Sequence, residues 1–348
     1  MSERDQTYVD ALRDAVLQEM ERDASVVCFG LDVDDPKAIQ GTTRGLLEKY
    51  GPERVFGTPL AEDAMTGVAI GMALAGLRPV HVHIRMDFLL LAMNQLVNIA
   101  AKASYMYGGQ VHVPLVVRSM IGKSWGQGAQ HSQGLYPLFM QIPGLRVAAP
   151  TNPHDAKGCL AAAIRDDDPV MFVEHRLLYP HRGPLPEAPY LVPPGRARVA
   201  AAGADVTLVG VSNALVECLR ARRYLEAVGL QAEVIDPIWL APLDVDTIAD
   251  SVARTGRLLT VDNGWVACGA GAEIVSRVVE RLQGRPLAVR RLGFAPTPCP
   301  PTPSLEDLYY PDARAIAAAA FDLVEGRATG WLPEPRADAA ETLFRGPF

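Results

Sequence analysis

Short, valine-rich apolar runs alternate with amphipathic stretches of helical length along most of this chain, and this alternation constrains the fold more than any other feature. In the first half of the chain the apolar runs lie at 26–29, 78–84, 113–118, 145–150 and 170–174. Strands that alternate with helices are typical of βαβ units, whose strands form a parallel sheet. The pattern therefore predicts an α/β fold with mainly parallel sheets.

A proline-rich passage, PHRGPLPEAPYLVPPGRARVA, interrupts the alternation at 180–200. Proline and glycine at this density favour an extended connector over a regular element. The alternation resumes at 205–211 and continues almost to the end of the chain. We therefore predict an α/β domain at 1–180, a linker at 181–200 and a second α/β domain at 201–327. A tail follows at 328–348.

Composition excludes several classes of protein. The 348 residues carry a formal net charge of −7, and 49% of them are hydrophobic, which excludes a mainly disordered chain and disfavours nucleic-acid binding. The longest apolar run, 88–93, is far shorter than the ~20 residues that span a bilayer, so no membrane association is expected. The N-terminus shows no export signal, and five scattered cysteines indicate reduced thiols. We expect a cytoplasmic protein.

Two polar residues stand ahead of predicted helices in the first domain, where ligands bind in open parallel sheets. Glu62 precedes a helix rich in small residues, and His131 lies in the segment GQGAQHSQ. From pattern alone, Glu62 is also explained as a first-turn carboxylate that the helix dipole favours, and His131 as a structural histidine. Phosphate-loop and dinucleotide-binding motifs are missing from the sequence, so pattern alone indicates a two-domain protein without a defined reaction.

Longer motifs resemble a known family. The segments AEDAMTGVAIGMALAGLRPV, GAQHSQ and NPHDAKG, together with collinear stretches from about residue 5 to 326, resemble the β subunit of the thiamine-diphosphate-dependent 2-oxoacid dehydrogenases. The resemblance implies a pyrimidine-binding, transketolase-like domain followed by a transketolase C-terminal-like domain. It also implies decarboxylation of a 2-oxoacid, with transfer of the acyl or aldehyde fragment to an acceptor such as a lipoyl group.

The resemblance gives individual residues a role. It implies that Glu62 hydrogen-bonds N1′ of the aminopyrimidine of thiamine diphosphate and so favours the tautomer that generates the carbanion. Phe88 matches an aromatic residue that packs on this ring, with a core phenylalanine as the alternative, and Met86 is expected beside it. His131 matches a histidine that positions the substrate and moves protons.

The resemblance also implies what this chain lacks. The family's Mg²⁺–diphosphate motif, GDG followed by NN, does not occur in the sequence. The resemblance therefore implies that an α subunit holds Mg²⁺ and the diphosphate, in an α2β2 assembly that shares the cofactor between chains. A lipoyl acyltransferase is a further candidate partner.

A monovalent-cation site is the last feature that the resemblance implies. Oxygen-rich ligation suits a hard cation such as K⁺. A solvated acidic turn is the alternative explanation, because Asp is common in turns. The corresponding residues are Leu115, Ala163, Ile164, Asp166 and Asp168.

Several residues depart from the family pattern. Val82 replaces an expected acid, Arg85 follows it, and Ile238 replaces a basic residue. Lys123 is an addition that either binds an anionic substrate group or is an ordinary solvated lysine. These departures support a second hypothesis, a specialised carboligase or acyl-transfer enzyme outside a dehydrogenase complex. A third hypothesis, a non-catalytic scaffold subunit, is disfavoured because Glu62 and His131 are both retained.

Overall fold

The computed structural model describes residues 3–123 and 126–336, and the chain divides into two compact units. Of the described residues, the first unit contains 3–123 and 138–194, and the second contains 126–137 and 195–336. Residues 126–137, which carry His131, therefore belong to the second unit although they lie within the first predicted domain by sequence.

The first unit, with the helix that follows residue 136, consists of eight strands and seven α-helices in its described part. The strands are β1 (Glu3–Thr7), β2 (Val26–Gly30), β3 (Val55–Gly57), β4 (Arg78–His83), β5 (Val116–Ile121), β6 (Arg146–Ala148), β7 (Val170–His175) and β8 (Arg182–Pro186). The helices are α1 (Tyr8–Arg22), α2 (Leu46–Tyr50), α3 (Glu62–Leu74), α4 (Met86–Leu89), α5 (Ala101–Met106), α6 (Pro137–Met140) and α7 (Pro153–Arg165). Short 3₁₀ helices span Ile39–Gly41, Leu90–Ala92 and Arg176–Leu178, and a π-helix spans Gln95–Ala100.

Strands of the first unit pair in the order β6-β7-β5-β4-β2-β3, and every one of these pairs is parallel. The central strands β5 and β7 are buried along their whole length. A strand that is covered on both faces needs apolar side chains on both, which explains the continuous valine-rich runs in the sequence. The predicted α/β class with parallel sheets is confirmed.

Local sequence explains where two of the helices begin. Thr7 caps α1 and forms a reciprocal capping box with Asp10, and Asn152 caps α7 with Pro153 directly behind it. Helix α3 is different, because its N-cap residue Ala61 has no side-chain hydrogen bond. No N-cap side chain therefore bonds to the first turn of α3, and Glu62 lies in this turn.

The second unit is a smaller α/β unit. Its strands are β9 (Arg198–Ala201), β10 (Val206–Gly210), β11 (Ala232–Asp236), β12 (Trp239–Ala241), β13 (Arg257–Trp265) and β14 (Ala288–Phe294). Its helices are α8 (Asn213–Glu226), α9 (Val245–Thr255), α10 (Ala270–Arg281), α11 (Pro303–Glu306) and α12 (Ala313–Glu325). Five of the strands pair in the order β14-β13-β10-β11-β9, and only the β11–β9 pair in this sheet is antiparallel.

The proline-rich linker predicted at 181–200 contains regular structure. Strand β8 pairs antiparallel with β1, and β9 begins at Arg198. The buried ammonium of Lys157 donates hydrogen bonds to the carbonyl oxygens of Pro186 and Glu187, at 2.7 and 3.2 Å. Of the predicted tail, residues 328–336 are described and place Trp331 against Phe321, whereas 337–348 lie outside the described residues.

Candidate active site

Glu62 is the most unusual acid of the first unit. It occupies the first turn of α3, is only 9% exposed, and follows the uncapped Ala61. Within the described part of the chain its carboxyl has neither a hydrogen-bond nor an ion-pair partner. Buried carboxyl groups are normally paired, and an unpaired one in a cleft is typical of a functional site.

A narrow cleft opens beside Glu62, within the first unit. Val82, at the position where the resemblance leads one to expect an acid, also lines the cleft and is 1% exposed. Glu62 is therefore the only acid among the described residues that line the cleft. The lining residues are Leu31, Thr58, Pro59, Ala61, Glu62, Met65, His81, Val82 and His83.

Two histidines of β4 form the base of this cleft, with ring centroids 4.3 Å apart. Nδ1 of His81 is 3.4 Å from the carbonyl oxygen of Phe29, which can only accept, so Nδ1 carries the proton and Nε2 is an acceptor without a partner. Burial lowers the pKa of His81 to about 4, and burial together with His81 lowers the pKa of His83 well below its usual range. Both rings are therefore neutral near pH 7.

Neither His81 nor His83 was predicted as a site residue from the sequence. A signal was available, because residues two apart in a strand point to the same face, and the cleft shows that both rings face α3. Thr66 of α3 confirms this placement, since its hydroxyl lies 3.2 Å from Nε2 of His83.

The predicted ring-binding residues follow β4 in α4. Phe88 is 37% exposed, so it is not the core phenylalanine of the alternative explanation. Met86 is fully buried, and its predicted contact with the cofactor remains a prediction.

Lys123 lies just beyond β5, in a region of concentrated positive charge. Burial, helped by the charges of Arg176 and Lys123, lowers the pKa of His175 to about 3. The Arg176 guanidinium also lies 3.4 Å from the carbonyl oxygens of Gly122 and Ile84, at the ends of β5 and β4. The carboxyl edge of three adjacent strands thus carries cationic groups.

The oxygens of the predicted monovalent-cation site lie in the first unit. Arg78 donates to the carbonyl oxygens of Ile164 and Asp166 at 3.1 and 2.9 Å. Arg146 pairs with the carboxylates of Asp166 and Asp168 at 3.0 and 3.3 Å. Arginine cations therefore already contact three of the five predicted residues.

The backbone carbonyl oxygens of the other two residues predicted to bind the cation already accept backbone hydrogen bonds. Those of Leu115 and Ala163 accept hydrogen bonds from the N–H groups of Val170 and Asp166, at 2.9 and 3.3 Å. The described part of the chain contains no group of three or more His, Cys, Asp or Glu side chains able to hold a metal ion. The K⁺ site remains a prediction.

The sequence-predicted residues fall in different units. Glu62, Met86, Phe88 and Lys123 belong to the first, and His131, which is half-buried, belongs to the second. Ile238, the other departure, is a buried residue of the second unit with φ of 57°, and its backbone N–H donates to the carboxylate of Asp236.

The chemistry of the cleft matches the aminopyrimidine ring of the cofactor that the sequence resemblance implies. A lone carboxyl beside apolar side chains suits a nitrogen of a heteroaromatic ring, because such a ring buries its carbon atoms against the apolar side chains and presents a nitrogen to the carboxyl. Neutral histidines at the base add no charge that would pair with the carboxyl instead. The residues of the first unit therefore fit an aminopyrimidine.

Comparisons with known proteins agree with this fit. Residues 4–182 match the family described as "Transketolase, pyrimidine binding domain", and residues 195–316 match "Transketolase, C-terminal domain". The chain resembles a solved structure titled "Split gene transketolase, inactive beta4 tetramer", with a TM-score of 0.75 and 22% identity over 91% of this chain and 98% of that one. The fold and the cleft thus define a member of the transketolase-like class.

Curated relatives narrow the class. The chain is 42% identical to "Acetoin:2,6-dichlorophenolindophenol oxidoreductase subunit beta" of Cupriavidus necator, over 91% of this chain and 96% of that protein. It is 40% identical to "Pyruvate dehydrogenase E1 component subunit beta, mitochondrial" of Pisum sativum, over 92% and 90% of the two chains. The chain therefore belongs to the β-subunit family of the decarboxylating component of 2-oxoacid dehydrogenases, which confirms the resemblance.

No helix in the described ranges is both long and apolar enough to cross a membrane.

Proposed function

We propose that this chain is the β subunit of an α2β2 thiamine-diphosphate enzyme, located in the cytoplasm, that decarboxylates a 2-oxoacid. The acyl or aldehyde fragment then passes to an acceptor such as a lipoyl group, which a lipoyl acyltransferase would carry. The observation that supports this most strongly is the buried, partnerless carboxyl of Glu62 in the cleft of the pyrimidine-binding domain.

Thiamine diphosphate, when bound, supplies the nucleophilic carbon and the electron sink of the reaction. Glu62 holds a proton at a ring nitrogen, because no other group competes for its carboxyl. The apolar side chains of Leu31 and Met65 exclude water from that contact and so strengthen it. Neutral His81 and His83 keep the base of the cleft uncharged.

Other residues take the roles that the family implies. Phe88 packs on the ring, with Met86 behind it, and His131 positions the substrate and exchanges a proton with it. Lys123, which departs from the family pattern, contacts an anionic substrate group in this proposal. The α subunit holds Mg²⁺ and the diphosphate. The K⁺ that the family implies would bind at the oxygens of Leu115, Ala163, Ile164, Asp166 and Asp168, three of which already contact Arg78 or Arg146.

The surface of the first unit supports a partner chain. Large apolar side chains are exposed along and beside α3 and through residues 90–107, and α3 packs against the segments Leu90–Ala92 and Gln95–Ala100. Exposed apolar side chains at this density mark protein–protein contacts. The most exposed are Leu60 (75%), Leu91 (62%), Tyr105 (90%), Met106 (66%) and Tyr107 (59%).

Glu62→Gln tests the proposal, because glutamine keeps the size of the side chain and cannot exchange a proton. We expect turnover by the complete α–β complex to fall by about 10²–10⁴-fold, the usual contribution of a positioned acid or base. Asp63→Asn is the matched control, since Asp63 is an exposed acid in the same helical turn. Glu62→Gln activity within threefold of wild type would refute the proposal.

A further inference from the structure

The loop that carries His131 is fastened to the second unit on both sides of the histidine. Before it, Gly126 and Gly128 lie against Pro301, and after it, Gly134 and Tyr136 lie against the end of β13. His131 is near the middle of this loop, between the two attachments. We call residues 126–136 the His131 loop.

The second attachment is a buried hydrogen-bonded pair. Tyr136 is 0% exposed, and its hydroxyl donates to Oδ1 of Asp262 while it accepts from the backbone N–H of Asn263 at 3.1 Å. Oδ2 of Asp262 accepts from the backbone N–H of Gly271, in the first turn of α10, at 3.1 Å. Burial raises the pKa of both side chains, and Asp262 raises that of Tyr136 further, so the phenol stays protonated as a donor.

Close backbone packing accompanies this pair. A Cβ atom on Gly134 would lie 1.7 Å from the carbonyl oxygen of Asn263, so only glycine fits there. Gly126 has φ of +71°, and a Cβ atom on it would lie 2.3 Å from the carbonyl oxygen of Pro301. Both ends of the His131 loop therefore follow the surface of the second unit.

The described residues of the His131 loop form neither a helix nor a strand. The backbone N–H of His131 is 3.5 Å from the carbonyl oxygen of Gly128, at the limit of a hydrogen bond. Ser132, beside His131, is fully buried. The attachments at the two ends of the loop therefore contribute to where the backbone of His131 lies.

We propose that Tyr136, through its hydrogen bond to Asp262, is a positioning residue that holds His131 in place for the reaction. The inference rests on the proposed function, since it takes the substrate role of His131 from there. A loop released at one end shifts its middle, and a misplacement of about 1 Å at a reacting group is enough to cost ~10²-fold in rate.

Tyr136→Phe tests this, because it removes only the hydroxyl. Steady-state kinetics of the complete enzyme would be combined with hydrogen–deuterium exchange of peptides that contain His131. We expect kcat to fall by about 10- to 100-fold, KM to change less than threefold, and amide exchange across 126–136 to rise. Asp262→Asn, which alters the other side of the pair, should move the same two readouts in the same directions.

Tyr179→Phe is the matched control. Tyr179 is a buried tyrosine of the first unit, and its hydroxyl donates to the carboxylate of Glu174 at 2.9 Å. This variant should lower the melting temperature without raising exchange in the His131 loop. If Tyr136→Phe lowers only the melting temperature, and leaves kcat and exchange in the loop at wild-type values, Tyr136 is a core residue and the inference is wrong.

Failure of the proposed function gives a different result. In that case Glu62→Gln would keep its activity, whereas the exchange of the His131 loop in Tyr136→Phe would still rise. A fall in kcat without increased exchange would also overturn the inference, because Tyr136 would then act by some route other than the loop. Should Tyr136→Phe fail to fold, Asp262→Asn supplies both readouts.

Discussion

The two units share an architecture, a mainly parallel sheet with helices, but they bury different chemistry. The first unit buries the ion pair of Arg118 and Glu174 and three histidines whose pKa values are lowered. The core of the second is a cluster of aliphatic and small side chains, led by Val206, Leu208 and Ile316. Among the described residues, every buried Arg, Lys and His side chain lies in the first unit, whereas the buried polar groups of the second unit include the Tyr136–Asp262 pair. Burying a basic group is costly unless it is paired or uncharged, so the two units differ in which kind of polar group they have to compensate.

Within the first unit, the buried groups differ in how they are compensated. Arg118 and Glu174 are both 0% exposed and form two hydrogen bonds, at 2.6 and 3.1 Å, which Tyr179 supplements. The histidines stay uncharged. Among the described residues, Glu62 has neither a partner nor a charged neighbour in the cleft. This contrast with the compensated groups is the basis of the proposal that Glu62 contacts the cofactor.

Breaking the buried ion pair should cause the largest loss of stability and so give the clearest difference between the two units. We expect Arg118→Leu to lower the free energy of unfolding by about 3–5 kcal/mol, because it leaves the Glu174 carboxylate buried without a counter-ion. Denaturant unfolding would measure this change. The same substitution at Arg281, which pairs with Asp246 on the exposed surface of the second unit, should leave stability unchanged. Equal losses at the two sites would contradict the contrast between the units.

Acidification should also destabilise the first unit more than the second, by a smaller amount than loss of the ion pair. The folded pKa of His81, about 4, lies below the unfolded value of 6.5, so the stabilisation is present above pH 6.5 and is lost as the pH falls toward 4. Each such histidine contributes a slope of about 1.4 kcal/mol per pH unit in this range. Hydrogen exchange that monitors unfolding of the first unit between pH 7 and 4.5 would measure this slope.

The control for acidification is a pair of substitutions. His81→Gln should reduce the slope of the first unit by about 1.4 kcal/mol per pH unit, since one titrating group is removed. His154→Gln, at a half-exposed position on α7, is the matched substitution of a histidine outside the cleft. An unaltered slope in His81→Gln would show that His81 is already protonated in the folded protein.

Sequence predicted the class of fold well, because it depends on local patterns: valine-rich strands and amphipathic helices. A contiguous motif also placed Glu62 at the start of a helix, where the structure has it, and its contact with the cofactor stays a prediction. It did not predict that residues 126–137 belong with the second unit. That placement depends on contacts such as those of Gly134 with Asn263, which are far apart along the chain. Strand β8 was missed for a related reason, since its prolines indicate a loop and only the pairing with β1 makes it a strand.

Binding of the cofactor tests the central claim, that this chain supplies the ring-nitrogen partner of a site shared with another chain. Isothermal calorimetry would titrate thiamine diphosphate with Mg²⁺ into the isolated chain, and then into its mixture with the α subunit. The account predicts no measurable binding by the isolated chain, and saturable binding once the α subunit is present. Micromolar binding by the isolated chain would contradict it, because the diphosphate site would then lie in this chain.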